Sequence, residues 1–494
     1  MFFRLRGYFF MKKIFVRLFA CLIGFVCLFP FSSCQKRAKD RSRYEITAEY
    51  RDDVRMIAGT VKVEFFNAYE KEISSLKFHL YPNAYRKNAI YKPISESEQG
   101  VAYYAGESYG DATITSVAGV KSWTVCGEDE NILSVELLRP LAKESKTTVD
   151  ISFVVELAKV NHFTGATAHT VNFGNFFPIL CAYKNGEFVE HTYTPFGNPF
   201  NSEYADYVVH FTSPSEYAVS ASAIGTVVKG LESKTKYTFE LKTARDFALA
   251  LSKEFKTVET TQNNTQIRYC YYDDKDAKSH LDFLSSVFLY FEKTFGEYPY
   301  PGLCVAQTGL TRAESAYPGL IMLSDSLGEE ECKRALARGL ARQWWSEIAG
   351  SDSVLEAWIS ESLAEYSAVA FFEENPDFGI KKDEIVKKSL QEYRSYFSVY
   401  GSVFGGVDTR MSRALKEFSS GYEYQRLAVD KGVILWDTLR KSIGDGKFFQ
   451  GLKNYYKTGK FRISSKKELI EAFEKTGISV EGFFDSFLSG KAVL

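Results

Sequence analysis

From Tyr44 onward the chain alternates: Tyr44, Ile46, Ala48 and Tyr50 are interleaved with Glu45, Thr47, Glu49 and Arg51. A period of two puts the apolar set on one face of a strand and the polar set on the other. The same alternation returns in Val61, Val63 and Phe65, in Leu76, Phe78 and Leu80, in Val149, Ile151, Phe153 and Val155, and in Tyr237, Phe239 and Leu241. Many short strands with polar turns between them predict an antiparallel, sandwich-like β domain over residues 44–262. After Asn263-Asn264-Thr265 one more strand, Ile267 to Tyr272, leads into helical periodicity. Helices are predicted at His280 to Phe295, Glu330 to Ile348, Leu355 to Glu373, Leu427 to Ser442 and Lys447 to Lys457. Ser465-x-x-Glu468 is a capping box that opens another, with Leu469, Ile470 and Phe473 on its apolar side. The fold class expected is therefore α+β and multidomain, with a mainly helical α/β domain over 263–494 following the β domain.

The first 33 residues follow a different rule. A basic stretch, Met11-Lys12-Lys13 to Arg17, precedes an apolar run from Leu18 to Phe31, which ends at Phe31-Ser32-Ser33-Cys34. This is the pattern of a signal peptide over 1–33, starting at Met1 or Met11, and the small residues before Cys34 resemble a bacterial lipobox. Cys34 would then carry the lipid, residues 34–43 would form a charged tether, and the protein would be anchored in a bacterial cell envelope, facing periplasm or surface. An uncleaved anchor helix is the alternative, and it puts the same domains on the same side.

Charge narrows the partners. With 61 Lys+Arg against 62 Asp+Glu there is no net field to attract a polyanion, so no nucleic acid partner is expected. The 31 Tyr and 41 Phe suit sheet faces and helix packing. Beyond Cys34, five cysteines (Cys126, Cys181, Cys270, Cys304 and Cys332) form no C-x-x-C pair, which predicts buried thiols in place of a metal ribbon or redox motif.

Several short runs share one order. They are Phe78-His79-Leu80-Tyr81-Pro82-Asn83-Ala84, Thr194-Pro195-Phe196 through Tyr217-Ala218-Val219, Phe295 to Pro301, Tyr317-Pro318-Gly319-Leu320-Ile321, Gln343-Trp344-Trp345, Trp358-Ile359-Ser360-Glu361 and Asp430-Lys431-Gly432. In order and spacing these resemble the gluzincin zinc metallopeptidases of the aminopeptidase N (membrane alanyl aminopeptidase) type, over nearly all of residues 44–490. The resemblance implies a thermolysin-like second domain, a zinc cofactor and peptide hydrolysis. Zinc in such an enzyme needs two His one turn apart, a Glu between them to activate water, and a Glu from the next helix. The slot for that motif here reads Arg338-Gly339-Leu340-Ala341-Arg342, so both ligand positions are Arg and the general-base position is Gly. The third ligand position survives as Glu361, separated from Arg342 by eighteen intervening residues. The six histidines are His79, His162, His169, His191, His210 and His280, so the helical half beyond 280 has no imidazole to offer a metal. The Glu that grips a substrate amine is matched by Ala316, and the Tyr that stabilises the oxyanion by Val429, with Tyr424 nearby.

These losses lead to an expectation of a catalytically inactive homologue without zinc, binding a peptide or protein segment in the former active-site cleft. A hydrolase with an unusual metal site and a purely structural lipoprotein are the alternatives. Arg338 and Arg342 share a helix face and are expected to point at Glu361. Two Arg and one Glu sum to about +1 by formal charge, which suggests a cleft that takes an acidic group. Trp344, Trp345 and Trp358 are read as core, and Tyr317 to Leu323 as an exposed edge strand available to a peptide. With no further helical domain after Gly490, the cleft, lined by Tyr317, Tyr424, Glu361 and the two Arg, is expected to be open.

Overall fold

A computed structural model of the chain describes residues 40–230 and 233–492. The expected signal peptide, the lipid site at Cys34 and the tether as far as Lys39 lie outside the described residues. Residues from Arg41 onward pack as one unit.

The alternating segments become the strands of a seven-stranded sheet, in the order Thr226–Lys229, Lys234–Ala244, Ala205–Pro214, Arg43–Arg51, Met56–Phe66, Lys146–Glu156, Asp111–Ala118. Tyr44, Ile46, Ala48 and Tyr50 all point inwards and are buried. Across the core they meet the four-stranded sheet that contains Ile73–His79 and, from a second four-stranded sheet, the strand Val171–Phe173; Tyr50 packs edge-on against Phe173 at 5.4 Å between ring centroids. One pairing departs from the antiparallel expectation. Arg43–Arg51 runs parallel to Ala205–Pro214, with Tyr44 opposite Tyr207. Parallel neighbours need a long crossover, and residues 52–204 supply it.

The helical half is built on a five-stranded sheet in the order Lys256–Gln262, Thr265–Tyr271, Gly302–Thr308, Leu320–Ser324, Glu314–Tyr317. Its first two strands form a hairpin turning at Asn263, whose φ of 50° lies in the left-handed region that Asn tolerates. The 262/263 boundary thus falls inside a hairpin, and this sheet reaches back to Lys256. The exposed edge expected at Tyr317 to Leu323 is corrected: Leu320–Ser324 is an interior strand with every residue buried, and the edge is Glu314–Tyr317.

Five helices matter for the site: α1 (Ala277–Thr294), α2 (Glu329–Arg342), α3 (Ala357–Glu374), α4 (Lys382–Phe404) and α5 (Lys431–Ile443). α3 is buried on all sides from Ala357 to Phe372 and is the central helix of this half. Trp344, Trp345 and Trp358 are core residues, at most 1% exposed. α2 and α5 each adjoin a wide, π-helical turn, Gln343–Ile348 after α2 and Gln425–Asp430 before α5. Such turns shift the side chains around them off the regular α spacing. No two of the described cysteines are paired, and all but the half-buried Cys126 are buried. Among the described residues no helix is long and apolar enough to cross a membrane.

Candidate functional site

Arg334, Arg338 and Arg342 recur every four residues on α2, and Glu361 and Glu365 stand four apart on α3. That spacing stacks each set on one helix face. α2 packs against α3 and against the edge strand Glu314–Tyr317. Gln343, at the end of α2, fixes the strand: its amide donates to the Tyr317 carbonyl at 2.9 Å and its Oε1 accepts from the Gly319 N–H at 2.9 Å. Glu314 is thereby held over the middle of α2.

The result is a chain of alternating charges. Arg342 grips Glu361 with both terminal nitrogens, Nη2 to Oε2 at 2.7 Å, and its Nε reaches Glu314 Oε1 at 3.4 Å. Arg338 holds Glu314 in a second two-pronged pair, Nε to Oε1 at 2.7 Å, and its Nη1 donates to Glu365 Oε2 at 3.1 Å. Arg334 closes the series on Glu365 Oε1 at 3.1 Å. Arg338 therefore does not meet Glu361 as the sequence suggested; only Arg342 does. The side chains of Glu314, Glu361 and Glu365 are 2%, 7% and 7% exposed, so these pairs are mostly withdrawn from water. Burial raises the Glu314 and Glu365 carboxyls, but the guanidinium groups beside them outweigh it and hold both below the usual carboxylate range. The Arg338 and Arg342 guanidinium groups, lowered by burial, are raised overall by Glu314 and Glu361 respectively.

The formal sum changes with the inventory. Three guanidinium groups meet three carboxylates and come to zero, which corrects the +1 reckoned from two Arg and one Glu and removes the argument for an acidic ligand at these arginines. Gly339 is part of the same arrangement. A Cβ there would stand 2.9 Å from Ile321 Cγ2 and 3.3 Å from Glu314 Cγ, so the glycine leaves the room that Glu314 occupies.

Beside this chain lies a cavity of about 880 Å³, walled on one side by Phe163, Phe196 and Phe200 of the β-rich half and on the other by the helical half. Ala316 and Val429 both line it, each presenting only an aliphatic side chain. Tyr424 lines it too, 5% exposed, with its ring 5.7 Å from Phe196 and its hydroxyl beside Glu361 and Arg342; burial raises that hydroxyl far above its ordinary range. Tyr317 is not among the lining residues: it is 3% exposed and its hydroxyl donates to Asn175 Oδ1 at 3.1 Å. Two further lining residues, Arg312 and Glu347, were not singled out by the sequence. Arg312 donates to the carbonyls of Gly197 and Pro195, at 3.0 and 3.4 Å, and lies over the Phe163 ring. Glu314 and Glu365 were also missed, although the four-residue step from Glu361 to Glu365 was a legible signal.

No protein-family model matches the sequence, and no curated protein matches it. Solved structures do match. The M1 zinc metallopeptidase of Deinococcus radiodurans superposes with a TM-score of 0.63 at 16% identity, over 92% of this chain and 94% of that chain. A mutant M1 zinc metallopeptidase from the same bacterium, bound to a Tyr-Ser-Ala substrate, gives 0.63 at 16% identity, over 92% and 95%. A mutant two-domain M1 zinc metallopeptidase bound to L-arginine gives 0.61 at 16% identity, over 92% and 94%. The architecture is thus that of the M1 peptidases, mixed α+β with a sheet-rich first half and a helical second half. Their zinc finds an unsuitable donor set here. Guanidinium groups have no lone pair for a metal, and Glu361 is already taken up by one of them. Among the described residues no group of three His, Cys, Asp or Glu side chains is placed to hold a metal ion.

Proposed function

We propose that this protein is a noncatalytic homologue of the M1 peptidases, lipid-anchored to a bacterial membrane at Cys34, that binds a peptide or protein segment in its cleft. One observation carries the reading: the side chain at the second ligand position, Arg342, makes a two-pronged pair with Glu361, the third ligand position. A cation then occupies the place where a Lewis acid would act, and its charge is spent on buried carboxylates. Gly339 has no side chain with which to take a proton from water, and Ala316 and Val429 cannot hold an amine or an oxyanion. The cavity nonetheless remains, large enough for a few residues of extended chain and lined by aromatic rings on one wall. The lipobox-like run before Cys34 supports the anchor.

Purified protein should contain far less than one zinc per chain by elemental analysis, and should release no product from aminoacyl-amides after zinc is added. Stoichiometric metal, or hydrolysis that chelators abolish, would sink the proposal. Mass spectrometry of protein extracted from its native membrane should find the mature N-terminus at an acylated Cys34.

A further inference from the structure

Once the arginines of α2 have been matched with Glu314, Glu361 and Glu365, the charged side chains still facing the cavity are Glu96 and Glu98 at its rim, Arg312, and Glu347. Three carboxylates against one guanidinium give the remaining wall an acidic balance. Glu96 is exposed and well served by water, and the half-buried Glu98 accepts a hydrogen bond from the Ser95 hydroxyl. Glu347 is different. It stands on the wide turn Gln343–Ile348, is 5% exposed, and no cationic side chain among the described residues comes within ion-pairing distance of it.

The two nearest cations are committed elsewhere. Arg245 donates to the carbonyls of Ser202, Ser346 and Ser351, at 3.1, 3.3 and 3.0 Å, and to Asn201 Oδ1 at 2.6 Å. Arg342 holds Glu361 and Glu314. A buried carboxylate without a cationic partner is costly, and a site that keeps one on a cavity wall is electrostatically incomplete when empty.

We propose that Glu347 is the anchoring carboxylate of this cleft and receives the cationic group of a bound ligand, an ammonium on a peptide segment. The proposal rests on the reading of the cleft as a ligand site and names the chemistry of its occupant. The α-amine of a chain end and the side-chain amine of lysine share that chemistry. Phe163, Phe196 and Phe200 would cover the apolar part of the segment.

The proton balance follows from the surroundings. Burial pushes the Glu347 carboxyl up to about 7, against the opposing pull of Arg245, the Ser346 hydroxyl and Arg342. The other titratable groups facing it are Asp246 and the phenols of Tyr204, Tyr298 and Tyr300. Near neutral pH the empty site is therefore partly protonated, and an arriving ammonium favours the ionised carboxylate and releases a proton.

Calorimetry on the full chain tests this with three probes in two buffers of different ionisation enthalpy: trialanine amide, N-acetyl-trialanine amide and N-acetyl-Ala-Lys-Ala amide. At least one amine-bearing probe should bind about tenfold or more tighter than the neutral one, with proton release at pH 7, and the tighter of the two names the source of the amine. In Glu347→Gln, which keeps the shape and removes the charge, the preference and the proton release should both vanish while the melting temperature holds or rises. Equal binding of all three probes, or a preference that survives in Glu347→Gln, overturns the role of Glu347 and leaves the cleft a peptide site. If no probe binds, the reading of the cleft falls and the inference falls with it.

Discussion

Glu314 is the residue on which both central arginines depend, because Arg338 and Arg342 converge on its carboxylate from one helix face. Glu314→Ala would leave two buried guanidinium groups without their shared partner, and breaking a buried pair from one side costs about 3–5 kcal/mol. Chemical denaturation should show a loss of that size. Replacing Glu314, Glu361, Arg338 and Arg342 together by apolar residues of similar volume should recover most of it, since Glu365 keeps Arg334 and no orphaned charge is left. A single-variant loss under about 1 kcal/mol would mean that the pairs behave as exposed ones. Gly339→Ala tests the same packing without touching charge. Its new Cβ would press on Ile321 and Glu314, and overpacking of this kind costs about 1–3 kcal/mol, measured by the same unfolding curves. The arginine spacing and Glu361 were legible in the sequence because they are local to α2 and α3. Glu314 was not: it lies on a strand, and only the packing of that strand over α2 gives it a role.

At the scale of elements, the close approach of α3 and α5 is fixed by Gly432. A Cβ at that position would come within 2.3 Å of Ser362 Cβ, and the Trp436 indole N–H donates to Ser362 Oγ at 2.8 Å one turn further on. Helix propensity alone favours Gly432→Ala by about 1 kcal/mol. Steric displacement of α5 opposes it, with a cost of about 1–3 kcal/mol. A lowered melting temperature in this variant is the expected outcome, and a raised one would show that the helices can separate freely. Most elements could be read from the chain: Ser465 and Glu468 form the capping box that was foreseen, with the Ser465 N–H donating to Glu468 at 2.8 Å. α4 escaped because its buried residues are only Ile385, Ser389, Tyr393 and Tyr396, while Phe397, Val399, Val403 and Phe404 are exposed and blur the stripe. The wide turns also escaped. A π-helical turn adds one residue to a pattern of helical type, and that difference is smaller than the scatter of the pattern itself.

At the scale of the molecule, the buried titratable groups predict how stability varies with pH. Burial pushes His79 down to about 3, with His191 adding to it, and lowers His162 and His191 as well. The unfolded chain therefore takes up protons below the ordinary value of 6.5 that the fold refuses, and stability falls as pH drops. Glu314 and Glu365, held low, lose their contribution below about 4.5 in the same direction. Asp246 and Glu347 work the other way. Burial raises them to about 8 and about 7, so the fold keeps protons that the unfolded chain has released, and stability falls as pH rises towards those values. His280, raised to about 10 by the Cys332 thiol and by Asp274 at 2.7 Å, adds to that fall above 6.5, while Lys431, lowered to about 8 by burial, opposes it at higher pH. The melting temperature should peak between about pH 4.5 and 6.5 and decline on both sides; a steady rise from pH 6 to 8 would contradict the assignment. The sequence by itself determined the order of a sheet-rich and a helical half, the absence of any imidazole beyond His280, and the placing of Arg338 and Arg342 on one helix face. These follow from periodicity, inventory and spacing, which are properties of the chain read locally. The neutral sum of the arginine cluster, the loss of Arg338 to Glu314 and Glu365, the interior position of Leu320–Ser324 and the unpaired Glu347 were decided only by the tertiary structure. Each depends on which distant segments share a wall, and the charge that a buried group experiences is set by those neighbours in space.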